Sequence, residues 1–199
     1  MSRAALVLVA GLSVFLYWQR KRLSSIMIDT RAALNNSNVQ AFMALIRKPE
    51  SNGIYNVLYG GGTFSDYSQH PQVRVPFYNP KRAPNGDGSP NDYSTAAGAY
   101  QINYPTWLLI QSLAALEKIP LLDFSPASQD IAAVLLLKMN GALPLVLYGH
   151  FKEALYEASG GANGLLGWAS LPGSTSGQHQ ISLATAQQIY AAAGGVAIA

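Results

Sequence analysis

The chain has 199 residues, of which 49% are hydrophobic and 12% are charged, and it contains no cysteine. A chain of this length and composition can bury the core of one globular domain, and its low charge and high hydrophobicity exclude intrinsic disorder. The lack of cysteine excludes disulfides, cysteine-ligated metal sites and thiol nucleophiles, but it does not identify the compartment.

The positive net charge belongs to the N-terminal segment. Residues 1–31 carry five Lys or Arg and one Asp, whereas residues 32–199 carry eight Lys or Arg and nine Asp or Glu. A nucleic-acid-binding domain carries its basic excess on the folded surface. The charge distribution therefore argues against nucleic acid as a partner.

An uncharged apolar run from Ala4 to Trp18 is followed by the basic residues 20–22. A helix of this length spans about 22 Å, less than the roughly 30 Å hydrocarbon core, but flanking cations and interfacial aromatic residues can complete a short crossing. We predict an uncleaved transmembrane anchor with its connector over residues 1–31, in front of one folded domain over residues 32–199.

Two alternatives to the anchor are a cleaved signal peptide and a buried core helix. No small-residue cleavage site follows the run directly, and basic residues there disfavour processing. The cations after the run favour a cytoplasmic body by the positive-inside rule, but the imbalance is too small to decide the orientation.

The first elements of the body are a helix and a small β lobe. Ser37 and Gln40 have capping-box spacing, and apolar residues repeat behind them at helical intervals, which predicts a helix that ends or kinks at Pro49. Residues 54–59 are rich in β-branched and aromatic side chains and precede three glycines, which predicts a small hairpin or sheet lobe.

The rest of the body is mostly helical. Residues 79–92 are dense in Pro, Gly, Asn and Asp, which predicts an exposed loop. Helical patterns follow over residues 96–117, 128–139, 151–159 and 182–193, with a glycine-rich loop at 160–167. The predicted fold class is α+β, with one early β lobe in a mostly helical domain.

Glu50 is the carboxylate whose setting stands out. Asp123 and Ser125 are expected to cap a helix, and Asp130 lies in the first turn of that helix, where the macrodipole favours an anion. Glu50 instead lies near a helix C-terminus and just before an apolar segment, so the dipole and desolvation both raise its pKa. A raised pKa suits a general acid near neutral pH, although a solvated helix end is the alternative.

Other chemistries find no support in the sequence. His70, His150 and His179 have no metal-ligand spacing, and surface or capping roles are expected for them. The chain has no nucleophile elbow, phosphate-binding loop or dinucleotide fingerprint. We therefore expect no metal and no cofactor, and a single carboxylate with a raised pKa remains.

Six short blocks occur in one order along the body. They are NVQAF at 38–42, Glu50 followed by GGTFSDYS at 61–68 and HP at 70–71, ST at 94–95 with GAYQ at 98–101, DFSP at 123–126 with QD at 129–130, GALP at 141–144, and WASLPG at 168–173. Each block alone is weakly specific, but the ordered set is strongly so. From Asn38 to Gly195 the chain resembles the lambda-type phage endolysins, which are lysozyme-like lytic transglycosylases.

The resemblance implies a lysozyme-like fold, in which a helical lobe and a small β lobe flank a glycan cleft. It implies cleavage of the β-1,4 bond between N-acetylmuramic acid and N-acetylglucosamine in peptidoglycan. It also implies that Glu50 is the sole catalytic carboxylate, which protonates the leaving oxygen and then takes the proton of the muramoyl C6 hydroxyl as that oxygen attacks C1. The residues expected to bind the substrate are Ser51, Asp66, Tyr67, Tyr100, Gln101 and Trp168.

Several alternatives stay open at this point. A hydrolase would need a second carboxylate, and Asp66 is the nearest candidate in sequence. Tyr100 could instead pack between the lobes. A non-enzymatic virion or glycan-binding protein on the same fold is the alternative from another class, because fold does not determine function.

The sequence also departs from the family pattern. Pro49 lies beside the key glutamate, the loop at 81–93 is longer, and an insertion precedes Trp168. The N-terminal anchor has no counterpart in the lambda type. It predicts a membrane-anchored enzyme at the host inner membrane, facing the periplasm, or in a virion membrane, with a role in host lysis or in virion entry.

Overall fold

The computed structural model describes residues 28–79, 81–161 and 166–198. Its α-helices are α1 (Thr30–Ala33), α2 (Ser37–Ser51), α3 (Tyr104–Leu116), α4 (Pro126–Met139), α5 (Ala142–Leu147), α6 (Phe151–Ala158) and α7 (Leu183–Ala192). Strands β1 (Val75–Phe77) and β2 (Asp92–Ser94) form a small antiparallel sheet, with Pro76 opposite Tyr93. The predicted α+β class is confirmed for these residues.

Helix α4 lies at the centre of the core. Its residues 132–135 and Leu137 are fully buried, so side chains on every side of the helix face the interior. A helix that is apolar all round is stable only when other elements surround it, and α1, α2, α3 and α5 pack against α4. This packing fixes the position of α2, which carries Glu50.

Helix α2 continues past Pro49, so the prediction that it ends there is wrong. Asn36, rather than Ser37, caps its start, because the Asn36 side chain accepts hydrogen bonds from the backbone N–H groups of Asn38 and Val39. At the other end the helix reaches Ser51, and Asn52 ends it in the left-handed conformation. A proline removes one backbone donor, and a single missing donor in the last turn leaves the rest of the helix intact.

The small β lobe is confirmed, but its strands lie elsewhere than predicted. Within residues 54–59 the pairing is limited to isolated bridges, from Val57 to Thr63 and from Leu58 to Ala97. Gly60 and Gly61 have positive φ angles and close a short turn there, which stops a strand from continuing. The ordered strand pair instead encloses the predicted loop, whose last residue, Asp92, begins β2.

Two predicted helix boundaries are wrong. The helix expected from residue 96 begins at Tyr104, because Gly98 has a positive φ and the Ala99 N–H donates to the Gln129 side chain instead of to a helical carbonyl. Helix α4 begins at Pro126, two residues earlier than predicted, and Ser125 caps it with help from Asp123 as expected. The short helix α5 was not predicted.

The start of the described chain packs on the body. Thr30 is buried and donates to Glu117 at 2.7 Å, and the Lys138 ammonium donates to the Ile28 carbonyl at 2.6 Å. The predicted boundary between residues 31 and 32 therefore falls within a packed helix. The predicted anchor at 4–18 lies outside the described residues, and no helix among the described residues is long and apolar enough to span a bilayer.

Candidate active site

A cleft of about 470 Å³ opens where the end of α2 meets the β lobe and the loop before α7. Its walls come from five stretches of chain. They are residues 49–51, 57–61, 94–103 in part, 167–170 and 178–181 in part. The cleft therefore lies between the helical lobe and the small β lobe.

Glu50 enters this cleft from the last turn of α2. Its Oε1 accepts a hydrogen bond of 2.6 Å from the Ser170 hydroxyl and a longer one of 3.4 Å from the Ser170 backbone N–H. Burial raises the pKa of the Glu50 carboxyl above its ordinary value, and the two hydrogen bonds from Ser170 offset part of that rise. A partly buried carboxyl with a raised pKa can serve as a general acid near neutral pH.

Three of the predicted binding residues line the cleft beside Glu50. The Ser51 hydroxyl donates to the Ala99 carbonyl at 2.8 Å, which ties the end of α2 to the following turn. Gln101 takes a left-handed backbone conformation, with φ of 47°, and its amide donates to the Gly98 carbonyl. Trp168 is nearly fully buried and forms part of the wall.

Tyr100 is not among the residues that line the cleft and packs behind it, which favours the packing alternative over the cleft-lining one. Its ring is 1% exposed, and its hydroxyl donates to Asp130 at 2.6 Å and accepts from Arg47 at 2.8 Å. Tyr55 donates to the same Asp130 oxygen at 2.7 Å, and Arg47 lies 3.3 Å from it. Burial raises the pKa of Tyr100 well above its ordinary value. The four side chains form a partly buried hydrogen-bonded cluster, called the Asp130 cluster below.

Asp66 and Tyr67 also lie away from the cleft walls. Asp66 is exposed, and its Oδ1 accepts from the Ser68 backbone N–H at 2.8 Å, which lowers the pKa of this carboxyl. Tyr67 stacks edge-on against Phe64 with ring centroids 5.2 Å apart. The geometry therefore gives Asp66 the character of a turn residue and Tyr67 that of a packing residue.

The sequence reasoning missed several cleft residues. Ser170 was part of a recognised block but had no assigned role, and Asn103 and Gln178 had no signal of their own. His179 is exposed, as expected, and it also lines the cleft. The missed polar residues come from segments far apart in sequence, so only the fold brings them to Glu50.

The described residues hold no cluster of three or more His, Asp or Glu side chains able to bind a metal ion. His70, which is buried, uses its ring to satisfy the backbone: Nε2 lies 2.9 Å from the Ile102 carbonyl, and Nδ1 accepts from the Gln72 N–H. Burial lowers the pKa of His70. Its ring is therefore a structural element of the β lobe.

Comparisons with known proteins point to one family. The family model described as Endolysin matches residues 38–197. The endolysin of Escherichia phage lambda is 36% identical over 134 residues, covering 67% of this chain and 71% of the relative. The endolysin of Escherichia phage P2 is 32% identical over 174 residues, covering 81% of this chain and 95% of the relative.

Solved structures of a relative have the same fold. Bacteriophage lambda lysozyme complexed with a chitohexasaccharide is 30% identical, with a TM-score of 0.66, and covers 86% of this chain and all of that chain. A second structure of bacteriophage lambda lysozyme has a TM-score of 0.60 at 29% identity, with the same coverage. The ordered blocks, the carboxyl in the interlobe cleft and these matches together show that the chain belongs to the endolysin family.

Proposed function

We propose that the chain is a lytic transglycosylase that cleaves the β-1,4 bond between N-acetylmuramic acid and N-acetylglucosamine, with Glu50 as both acid and base. Family membership identifies a peptidoglycan-degrading enzyme, and the proposal adds the reaction and the residue. The proposal rests on one observation. All ten Asp and Glu residues lie in the described part of the chain, and Glu50 is the only one of them that lines the cleft.

The proposed reaction needs no second carboxylate. The protonated Glu50 gives its proton to the glycosidic oxygen as the bond from C1 to that oxygen breaks. The muramoyl C6 oxygen then bonds to C1, and its proton passes to the Glu50 carboxylate. The products are a 1,6-anhydro end and a free hydroxyl, Glu50 is regenerated, and no water is consumed.

A hydrolase on this scaffold finds less support. A second carboxylate would lie about 5 Å from the first as a nucleophile, or roughly 6.5–9.5 Å away as a base. Asp66, the candidate in sequence, is exposed, bonded to Ser68 and not among the residues that line the cleft. We therefore propose the transglycosylase reaction in preference to hydrolysis.

The polar groups of the cleft suit a glycan. Amide side chains from Gln101, Asn103 and Gln178 can donate and accept hydrogen bonds with sugar hydroxyls and acetamido groups, and Tyr59 and Trp168 add aromatic surface. The lambda lysozyme with a chitohexasaccharide is a relative bound to such a glycan. In this proposal Ser51, Gln101 and Trp168 shape the binding site, while Asp66, Tyr67 and Tyr100 support it from outside the cleft.

Product analysis tests the proposal. The full chain is incubated with purified sacculi, and the released muropeptides are analysed by mass spectrometry, with Glu50→Gln as the matched inactive control. We expect anhydro ends, lighter by one water than reducing ends. Reducing ends alone would show a hydrolase, and binding to sacculi without release of fragments would favour the non-enzymatic alternative.

We further propose that residues 1–31 tether the enzyme to the host inner membrane. In this proposal residues 32–199 form the catalytic domain, which acts on the periplasmic side during lysis. The apolar run at 4–18 and the cations at 20–22 support this placement. The full chain should stay in the membrane fraction at high salt, because apolar burial is not screened by ions. Replacing Leu12 with Lys should release it, since a Lys at the centre of a span costs roughly 3 kcal/mol. Wild-type chain of unprocessed mass in the soluble fraction would refute the tether.

A further inference from the structure

We infer that Ser170 is a positioning residue that holds Oε1 of Glu50 and so makes Oε2 the oxygen that gives and takes the proton. The inference rests on the proposed role of Glu50 and adds to it a second residue and a choice between two oxygens. Ser170 acts through Glu50 and needs no contact with the reacting atoms.

The hydrogen bonds to Glu50 are one-sided. The Ser170 hydroxyl lies 2.6 Å from Oε1, and the Ser170 backbone N–H lies 3.4 Å from the same oxygen. Among the described residues only Ser170 donates hydrogen bonds to Glu50, and both bonds go to Oε1 rather than Oε2. A protonated carboxyl keeps one carbonyl-type acceptor and one O–H donor, and two donors from Ser170 favour Oε1 as the acceptor. The proton is therefore placed on Oε2.

The loop that carries Ser170 is held firmly on both sides. The Trp168 indole N–H donates to the Tyr100 carbonyl at 3.1 Å, and the Trp168 backbone N–H donates to Ala158 at 2.9 Å. On the other side, Leu171 is fully buried, and the Ser170 carbonyl accepts from the Ile181 N–H at 2.9 Å. A hydroxyl on such a pinned segment loses little further freedom when it binds Glu50, so the bond can fix the carboxyl in one orientation.

A single carboxyl that performs two proton transfers benefits from this arrangement. In the first step the proton leaves Oε2 for the glycosidic oxygen. In the second step the proton of the C6 hydroxyl returns to the same Oε2, which restores the starting state. Misplacing a catalytic group by a small distance lowers the rate strongly, so a fixed carboxyl favours both steps.

The hydrogen bond from the Ser170 hydroxyl lowers the pKa of Glu50, whereas burial raises it. Two other titratable groups, Tyr59 and His179, line the cleft. Two cations lie on α2: Arg47 belongs to the Asp130 cluster, and Lys48 donates to the Asn52 side chain. None of them is among the causes of the raised pKa of Glu50, which are burial and, in the opposite direction, Ser170. Removing the hydroxyl should therefore raise the pKa of Glu50 further.

The test compares Ser170→Ala with Ser170→Thr, which keeps the hydroxyl. Glutamate labelled with ¹³C at the carboxyl reports each side chain directly, since the chain has only Glu50, Glu117, Glu153 and Glu157, and Glu50→Gln assigns the signal of interest. In parallel, kcat and KM are measured against pH on sacculi, also in a His179→Gln background that removes the histidine from the profile.

For Ser170→Ala we expect the Glu50 titration and the alkaline limb of kcat to move to higher pH. We expect kcat to fall roughly tenfold with KM nearly unchanged, the size expected for loss of a hydrogen bond to a charged group. Ser170→Thr should restore the wild-type Glu50 titration and the wild-type kcat. The inference is overturned if the Glu50 titration stays in place or moves down, or if Ser170→Thr behaves like Ser170→Ala. Activity in Glu50→Gln is a separate outcome, which would refute the proposed function itself.

Discussion

Two carboxylates flank the end of helix α2, and their surroundings are opposite. Asp130 lies behind the cleft and accepts hydrogen bonds from Tyr55 and Tyr100 while pairing with Arg47 at 3.3 Å. Glu50 faces the cleft one turn after Arg47 and has Ser170 as its hydrogen-bonding partner among the described residues. Asp130 pairs with a cation and accepts its hydrogen bonds on Oδ1, whereas Glu50 has no cation among the described residues that bond to it.

The difference separates a structural role from a chemical one. A carboxylate that is paired with a cation and accepts several hydrogen bonds links the elements that donate to it. A buried carboxyl without a cation keeps its proton to higher pH and can transfer it. The Asp130 cluster joins α2, α4 and the turn at Tyr100, so it supports the wall from which Glu50 acts.

The largest expected effect is on activity, at Glu50. Glu50→Gln keeps the shape and the hydrogen bond from Ser170 but removes the transferable proton, so kcat on sacculi should fall by about 10³-fold or more. The free energy of unfolding in urea should stay within about 1 kcal/mol of the wild type, since a neutral amide suits the buried site. Glu153 is exposed, so Glu153→Gln serves as the control and should keep the wild-type kcat and free energy of unfolding. A strong loss of stability in Glu50→Gln would remove the contrast with Asp130.

Asp130→Ala should show the reverse pattern, with a large effect on stability. Its removal leaves the hydroxyls of Tyr55 and Tyr100 and the Arg47 guanidinium without their shared acceptor, at a cost of roughly 2–4 kcal/mol. Urea unfolding measures this loss, and Asp130→Asn, which keeps an acceptor oxygen, should lose less. If Asp130→Ala unfolds at the wild-type urea concentration, the Asp130 cluster does not stabilise the fold.

The two tyrosines of the cluster should be energetically coupled. Tyr100→Phe removes a hydroxyl that both donates to Asp130 and accepts from Arg47, so it should cost about 1–2 kcal/mol. Tyr55→Phe should cost less, because its ring is only half-buried. A double-mutant cycle measures their coupling, which we expect to exceed about 0.5 kcal/mol for residues that share one acceptor. Simple additivity would mean that the two hydroxyls act independently.

The smallest effect is the pH dependence of stability at Glu50. Folding raises the pKa of this carboxyl, so the folded state binds the proton more tightly than the unfolded chain. Its contribution to stability is therefore most favourable below the unfolded pKa of about 4.3, and it declines as pH rises to the folded pKa, by roughly 1.4 kcal/mol for each unit between them. Urea unfolding at several pH values should show that the free energy of unfolding of Glu50→Gln rises relative to that of the wild type as pH increases across this window. A constant difference would show that the carboxyl is not desolvated.

Much of the helical body could be predicted from the sequence because those signals are local. The helix at Leu183–Ala192 follows a serine cap and an apolar repeat within the segment itself. Glu50 was also predicted to act as an acid, because its position at a helix end before an apolar segment is visible along the chain, and the structure places it in the cleft. The helix α5 was missed since six residues are too few for a periodic pattern.

The errors lie where distant segments decide the structure. The segment at 96–103 has apolar residues at helical intervals, but the Gln129 side chain, from α4, takes the Ala99 N–H and holds a turn. The position of Tyr100 also depends on distant residues. Its hydroxyl binds Arg47 and Asp130, which lie 53 and 30 residues away along the chain.

By itself the sequence determined the α+β class and, through blocks ordered along the chain, the family, and it predicted which carboxylate acts as an acid, because residue types and spacings are visible along the chain. The tertiary structure decided which groups surround that carboxylate. It brought Ser170 to Glu50 across 120 residues and left Asp66 on the surface. Burial and hydrogen bonding depend on distances in space, and those distances exist only once the chain has packed around α4.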